Sequence, residues 1–124
     1  MSTILLAEDD PDIRRLIADK LQATGFAVLE AGDGLAALAA ARRAVPDLVL
    51  LDMRMPLLNG LDVCRELRTD PHTADIPIIM VTAHSQSPDI EQAYAAGATD
   101  YLVKPFSPRE LVRRVEAALA QAAG

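Results

Sequence analysis

Five polar residues stand where an apolar run of this chain has just ended. TILLA is followed by Glu8 and Asp9, LVLL by Asp52, PIIMV by Thr82, and DYLV by Lys104. Three carboxylates, a hydroxyl and an ammonium gathered at one edge would form a chemically coherent set. Clustered carboxylates repel each other and raise one another's pKa unless a cation lies among them. Magnesium is the natural choice, a hard octahedral ion that takes one or two carboxylates, keeps several waters and is completed by phosphate oxygens. A carboxylate can also be the nucleophile that accepts a phosphoryl group, giving an aspartyl phosphate. Such a transfer requires positioning and neutralisation of oxygens more than covalent help. Lys104 and the metal would supply positive charge, and Thr82 one hydrogen bond.

Whether these groups meet depends on the elements that carry them. Thr3 to Ala7, Phe26 to Ala31, Leu48 to Leu51, Pro77 to Val81 and Asp100 to Val103 read as five strands, several of them apolar throughout. Helices fill the gaps. Asp10-Pro11 is an N-cap followed by proline at the first helical position, and Ile13, Leu16, Ile17 and Leu21 recur at helical spacing until Gly25. Leu35 and Leu38 lie among alanines up to Ala44, before Pro46; Leu61, Cys64 and Leu67 mark the third helix. Ser87-Pro88 opens the fourth, with Ile90, Ala93, Tyr94 and Gly97 on one stripe. Ser107 to Glu110 reads as a capping box for the fifth, whose buried face is Leu111, Val112, Val115 and Leu119. Strict alternation with all-apolar strands means a parallel sheet covered on both faces. Ligands of open α/β sheets bind outside the carboxyl ends of the strands, where four strands deliver the five polar groups and the second delivers only Ala31-Gly32.

The residues AEDD, LLDMRMP, MVTA and DYLVKPF, in this order, resemble the receiver domain of bacterial two-component response regulators, and the likeness covers essentially the whole chain. It implies a single receiver domain over residues 1–124. The implied fold is flavodoxin-like, a doubly wound (βα)5 unit with a five-stranded parallel sheet of order 2-1-3-4-5 and helices on both faces. Position by position, it makes Asp52 the phosphoryl acceptor, assisted by Thr82 and Lys104. Magnesium would be held by Asp9 directly, by Glu8 mostly through water, by Asp52, and by the main-chain carbonyl of Arg54. Thr82 and Tyr101 match the switch pair, and Lys104-Pro105 matches a bond usually cis. The expected partners are a sensor histidine kinase or phosphotransfer protein and a downstream output protein or domain.

Composition narrows the field. Twelve basic against eighteen acidic residues give a net charge of −6. The basic cluster Arg109, Arg113 and Arg114 is too small to offset that, so direct nucleic-acid binding is not expected. No run is long enough for a membrane span and no signal peptide is read at the N-terminus. One cysteine and two histidines make a disulfide or a zinc site an unsuitable reading, and the expected setting is cytoplasmic. Asp10 is explained as a helix cap, Asp47 lies at the opposite edge of the sheet, Cys64 is core, and His72 is exposed. His84 and Arg54 flank the site at positions where receivers vary. Tyr101 competes between core and switch roles.

The leading function is a phosphorylation-controlled switch, not a turnover enzyme, that reshapes the face of the fourth helix, fifth strand and fifth helix. A phosphorylation-dependent homodimer through that face would pair Asp89 and Glu91 with the arginines. A phosphatase of the haloacid dehalogenase type would need an acid where Arg54 stands. A flavodoxin-like nucleotide or flavin module would need a phosphate-cradling loop in place of acidic AEDDPD. A degenerate receiver, binding partners without phosphorylation, is the alternative within the family.

Overall fold

The computed structural model describes residues 1–83 and 87–123. Strands and helices alternate without exception: β1 Thr3–Ala7, α1 Pro11–Thr24, β2 Ala27–Ala31, α2 Gly34–Ala44, β3 Leu48–Asp52, α3 Gly60–Thr69, β4 Ile78–Thr82, α4 Ser87–Ala95, β5 Asp100–Val103 and α5 Pro108–Ala123. All strand pairs are parallel, in the order β2-β1-β3-β4-β5, the order that the family resemblance implies. The chain direction across the sheet reverses between β1 and β3, which makes their carboxyl ends the place for a ligand.

The strands alternate their side chains between two cores. Leu5, Ala7, Val49, Leu51, Ile78 and Met80 face α2, α3 and α4. Ile4, Leu6, Leu48, Leu50, Ile79, Val81 and Leu102 face α1 and α5. All are buried, each larger one contributing roughly 1.5–3 kcal/mol of apolar transfer. The continuous apolar runs of the sequence follow from this double coverage.

Helix ends follow local rules. Asp10 caps α1 by accepting from the amides of Asp12 and Ile13, and Gly25 closes it in the left-handed region at φ 113°. Asp33 and Asn59 cap α2 and α3 in the same way. The capping box of α5 is half made: Ser107 Oγ accepts from the Glu110 amide, while the Glu110 carboxylate turns to Arg113 and Arg114 instead.

Not every apolar residue that marks a helix is buried. Leu16 is 73 % exposed, and Ile13 and Leu35 are also on the surface. On α1 the buried face is Ile17, Ala18 and Leu21; on α2 it is carried by alanines and Leu38. Tyr94 leaves its predicted stripe and is exposed, and Gly97 lies beyond α4 in the left-handed region. On α5 Ala118 takes the buried place next to Leu111 and Val115, while Val112 and Leu119 are only half-buried. Periodicity fixes a helix face to within a turn or so; the neighbours decide which edge of that face they cover.

Candidate functional site

β1, β3 and β4 are interior strands that bring Glu8, Asp52 and Thr82 to one edge. Asp52 is the last residue of β3, and its Oδ1 accepts from the amide of Arg54 at 3.1 Å. The chain beyond it is pinned on two sides. Met53 donates its amide to the Val81 carbonyl at 3.0 Å and accepts from the Gly60 amide at 3.0 Å. Gly60 permits that approach, since a Cβ there would lie 2.2 Å from the Asp52 carbonyl oxygen. Glu8 follows β1 with its amide on the Ala31 carbonyl and is only 2 % exposed.

Lys104 ties these acids together. Its Nζ lies 2.6 Å from Glu8 Oε1 and 3.1 Å from Asp52 Oδ2, and its own amide donates to the Thr82 carbonyl at 2.7 Å. Burial alone would lower the lysine's pKa, but the hydrogen bonds and charges of Glu8 and Asp52 outweigh it and hold the pKa above 10.5. The Lys104-Pro105 peptide bond is cis. Asp9 remains exposed. Partial desolvation, then the hydrogen bond and negative charge of Glu8, push its carboxyl above 3.8.

Ligand oxygens of Glu8, Asp9 and Asp52 lie within 4.8 Å of one another. Three hard oxygen donors gathered at one corner fit a magnesium ion rather than a soft metal. Asp9, Arg54 and Thr82 open onto a cleft of about 600 Å³ that Asp89 and Gln92 of α4 also line. The sequence thus places Glu8, Asp9, Asp52, Thr82 and Lys104 correctly at one edge. The Glu8 carboxylate is also engaged directly by Lys104.

The expected switch residue Tyr101 is half-buried on β5. Its ring meets that of Tyr94 edge to face at 5.9 Å between centroids. His84 lies outside the described residues. Asp47 is at the far edge, accepting from the Thr3 amide at 2.8 Å; Cys64 is buried, which pushes its thiol pKa up. Arg113 is paired with Glu110, and Arg114 is held by Asp100 at 2.9 Å and by Glu110 at 3.0 Å, so two of the three clustered arginines already have partners within the chain. Asp89, expected on the switch face, lines the cleft instead; Gln92 and the capping Asn59 escaped the sequence reading, and only the N-cap residue type before Gly60 signalled either of them.

The family model for the response regulator receiver domain matches residues 4–116. This chain belongs to that family. Among its relatives, the DNA-binding response regulator MtrA of Mycolicibacterium smegmatis is 46 % identical over 116 residues, 94 % of this chain and 50 % of the relative. The DNA-binding dual master transcriptional regulator RpaA of Synechocystis is 44 % identical over 119 residues, 96 % of this chain and 49 % of the relative. The receiver therefore spans about half the length of the curated relatives it matches. Among solved structures, chemotaxis protein CheY4 of Vibrio cholerae superposes with a TM-score of 0.91 at 32 % identity, covering 95 % of this chain and 98 % of that one. The receiver domain of sensor histidine kinase PA1611 from Pseudomonas aeruginosa, described with a magnesium ion coordinated in its active-site cleft, gives 0.90 at 36 % identity, covering 96 % and 98 %. This receiver has the same flavodoxin-like fold. Among the described residues no helix is long and apolar enough to cross a membrane.

Proposed function

We propose that this receiver is a cytoplasmic, phosphorylation-controlled switch of a two-component phosphorelay, with Asp52 as the phosphoryl acceptor. The observation that carries the reading is the Lys104 ammonium bridging Glu8 and Asp52, with Asp9 completing a cluster of three acids. Glu8, Asp9 and Asp52, with the main-chain carbonyl of Arg54, would hold magnesium, which when bound neutralises phosphoryl oxygens. An Asp52 oxygen attacks phosphorus; the O–P bond forms as the P–N bond of the donor phosphohistidine breaks, its electron pair leaving on the imidazole nitrogen. Lys104 transfers a contact from the carboxylates to a phosphoryl oxygen, and the Thr82 hydroxyl donates to another. Drawing Thr82 inward vacates space for Tyr101, so the face of α4, β5 and α5 changes shape. The domain catalyses its own phosphotransfer and dephosphorylation and is not a turnover enzyme.

A sensor histidine kinase or phosphotransfer protein supplies the group. An apolar groove beside Lys104, lined by Ile13, Leu16, Ile17, Pro105 and Phe106, supports docking of such a partner next to the acceptor. Because MtrA and RpaA are named as DNA-binding regulators, a DNA-binding output domain or protein is the proposed reader. The exposed Tyr94 on the switch face favours a phosphorylation-promoted homodimer as a second consequence. Sedimentation showing a monomer with and without a phosphoryl mimic would remove that part.

The test of the main reading is intact mass after incubation with acetyl phosphate and magnesium. One added phosphoryl group, absent from Asp52→Asn and from metal-free protein, is the expected result. No adduct, and no response to beryllofluoride, would leave the degenerate receiver as the function.

A further inference from the structure

β2 brings no acid, hydroxyl or ammonium into the acid cluster, yet its end meets a side chain that reaches the backbone of the acid pair. Beyond the ladder pairs of Ala7 with Ala31 and Leu51, the main chain leaves the sheet at Glu8, and its carbonyl needs a new donor. Arg14 provides it. The residue's amide is bound to the Asp10 carbonyl at 2.9 Å, while Nη1 of its side chain folds back and donates to the Glu8 carbonyl at 2.8 Å. On the other side, Nε donates to Glu30 Oε1 of β2 at 3.3 Å. Gly32 gives the guanidinium room: a Cβ there would lie 3.0 Å from Nη1. The side chain is largely covered, at 23 % exposure.

We propose that Arg14 is a positioning residue for magnesium binding, fixing the direction of the Glu8-Asp9 backbone and hence where both carboxylates point. The inference rests on the magnesium-dependent switch proposed above. A guanidinium suits the task because its rigid fork serves two acceptors at once and it never loses its charge. Supporting residues of this kind typically govern metal affinity by about 10- to 100-fold. The sign of the effect separates positioning from simple charge. Removing a cation beside an acid cluster should tighten magnesium binding by electrostatics alone; loosening the backbone should weaken it.

The experiment is calorimetric titration of magnesium into wild type, Arg14→Met, Arg14→Lys and Arg15→Met, with thermal unfolding recorded in parallel. Arg15 is the charge control, adjacent in sequence but exposed and paired with Asp19. Expected are binding weaker by about tenfold in Arg14→Met, an intermediate loss in Arg14→Lys, and a change under about twofold in Arg15→Met. The rate of adduct formation from acetyl phosphate should recover in Arg14→Met when magnesium is saturating. Equal or tighter binding in a folded Arg14→Met overturns the proposal, as does a fall in melting temperature with unchanged affinity. If that variant does not fold, wild-type affinity in Arg14→Lys overturns it, because lysine cannot serve both acceptors with a rigid fork. Wild type that binds no magnesium would refute the switch reading itself, a failure distinct from these.

Discussion

Replacing Asp9 with asparagine should stabilise the metal-free protein and remove most of its response to magnesium. Asp9 shares its corner with Glu8 and Asp52, all ligand oxygens lying within 4.8 Å. Two unit charges at such a separation repel by about 0.9 kcal/mol at water's dielectric constant. That limit is the appropriate one because Asp9 is exposed and its interactions are screened. Two such neighbours, partly offset by the attraction of Lys104, leave a net cost of about 1 kcal/mol. In a domain of this size the gain corresponds to roughly 4 °C in melting temperature.

The pH dependence follows from the raised carboxyl. A folded pKa above 3.8 means that ionising Asp9 costs the native state, so the cost is absent below 3.8 and grows as pH rises through the folded value. The variant's advantage should therefore be complete at neutral pH and vanish in acid. Magnesium at a hundred times its Kd should stabilise wild type by about 2.7 kcal/mol, and Asp9→Asn should lose most of that increment. Differential scanning calorimetry in chelator and in magnesium, over a pH series, reads all three effects. Asp75→Asn, an exposed acid in the loop before β4, controls for net charge. An unchanged or lower melting temperature for Asp9→Asn in chelator, or a magnesium increment equal to wild type, would overturn this account.

Lys104→Met should destabilise by about 3 kcal/mol at neutral pH, since it strands the buried Glu8 carboxylate; urea unfolding measures it. With its folded pKa above 10.5, the lysine's contribution should persist below that pH and be lost only as pH rises through the folded value. Gly60→Ala forces the loop away from the Asp52 carbonyl at a cost of about 1–3 kcal/mol, and phosphorylation measured by intact mass should slow more than that loss explains. Val45 and Leu57 are non-glycine residues at positive φ, 44° and 71°, and both are exposed. Asparagine at either position should raise stability by about 1 kcal/mol in chemical denaturation, and the two gains should add.

The alternation of elements was legible because a doubly covered parallel sheet writes its strands as unbroken apolar runs, as in LVLL and PIIMV. Asp-Pro, Ser-Pro and Gly25 then punctuate the helices. Strand order was not readable from periodicity and rested on the resemblance. The site was legible as residue types at strand ends, since β geometry alone carries Glu8, Asp52 and Thr82 to one edge. Which of those groups touch was not. Lys104 is 96 residues from Glu8, and no local pattern tells whether its ammonium meets a carboxylate or waits for a ligand. Arg14 was invisible for a different reason: an arginine in the first turn of α1, next to Arg15, reads as a solvated face, and nothing in its spacing shows that its side chain folds back onto the Glu8 carbonyl.

The arrangement also separates what must stay still from what must move. Asp52 ends a strand whose five residues are all buried, held between β1 and β4, with Met53 anchored by Val81 and Gly60. A nucleophile fixed in this way pays little entropy to reach its reacting geometry. Under the proposed switch, the displacement must then fall on the groups that meet the phosphoryl oxygens from outside that platform. Thr82 and Lys104 lead directly to β5, the edge strand, where three of four residues are only half-buried. Tyr101 leans there on the exposed Tyr94 and not on a sealed core. A strand with one neighbour and partial cover can shift at less cost than one packed on every side. On this proposal the readout face would be α4, β5 and α5 because the sheet ends there, and the acceptor would be on β3 because the sheet does not.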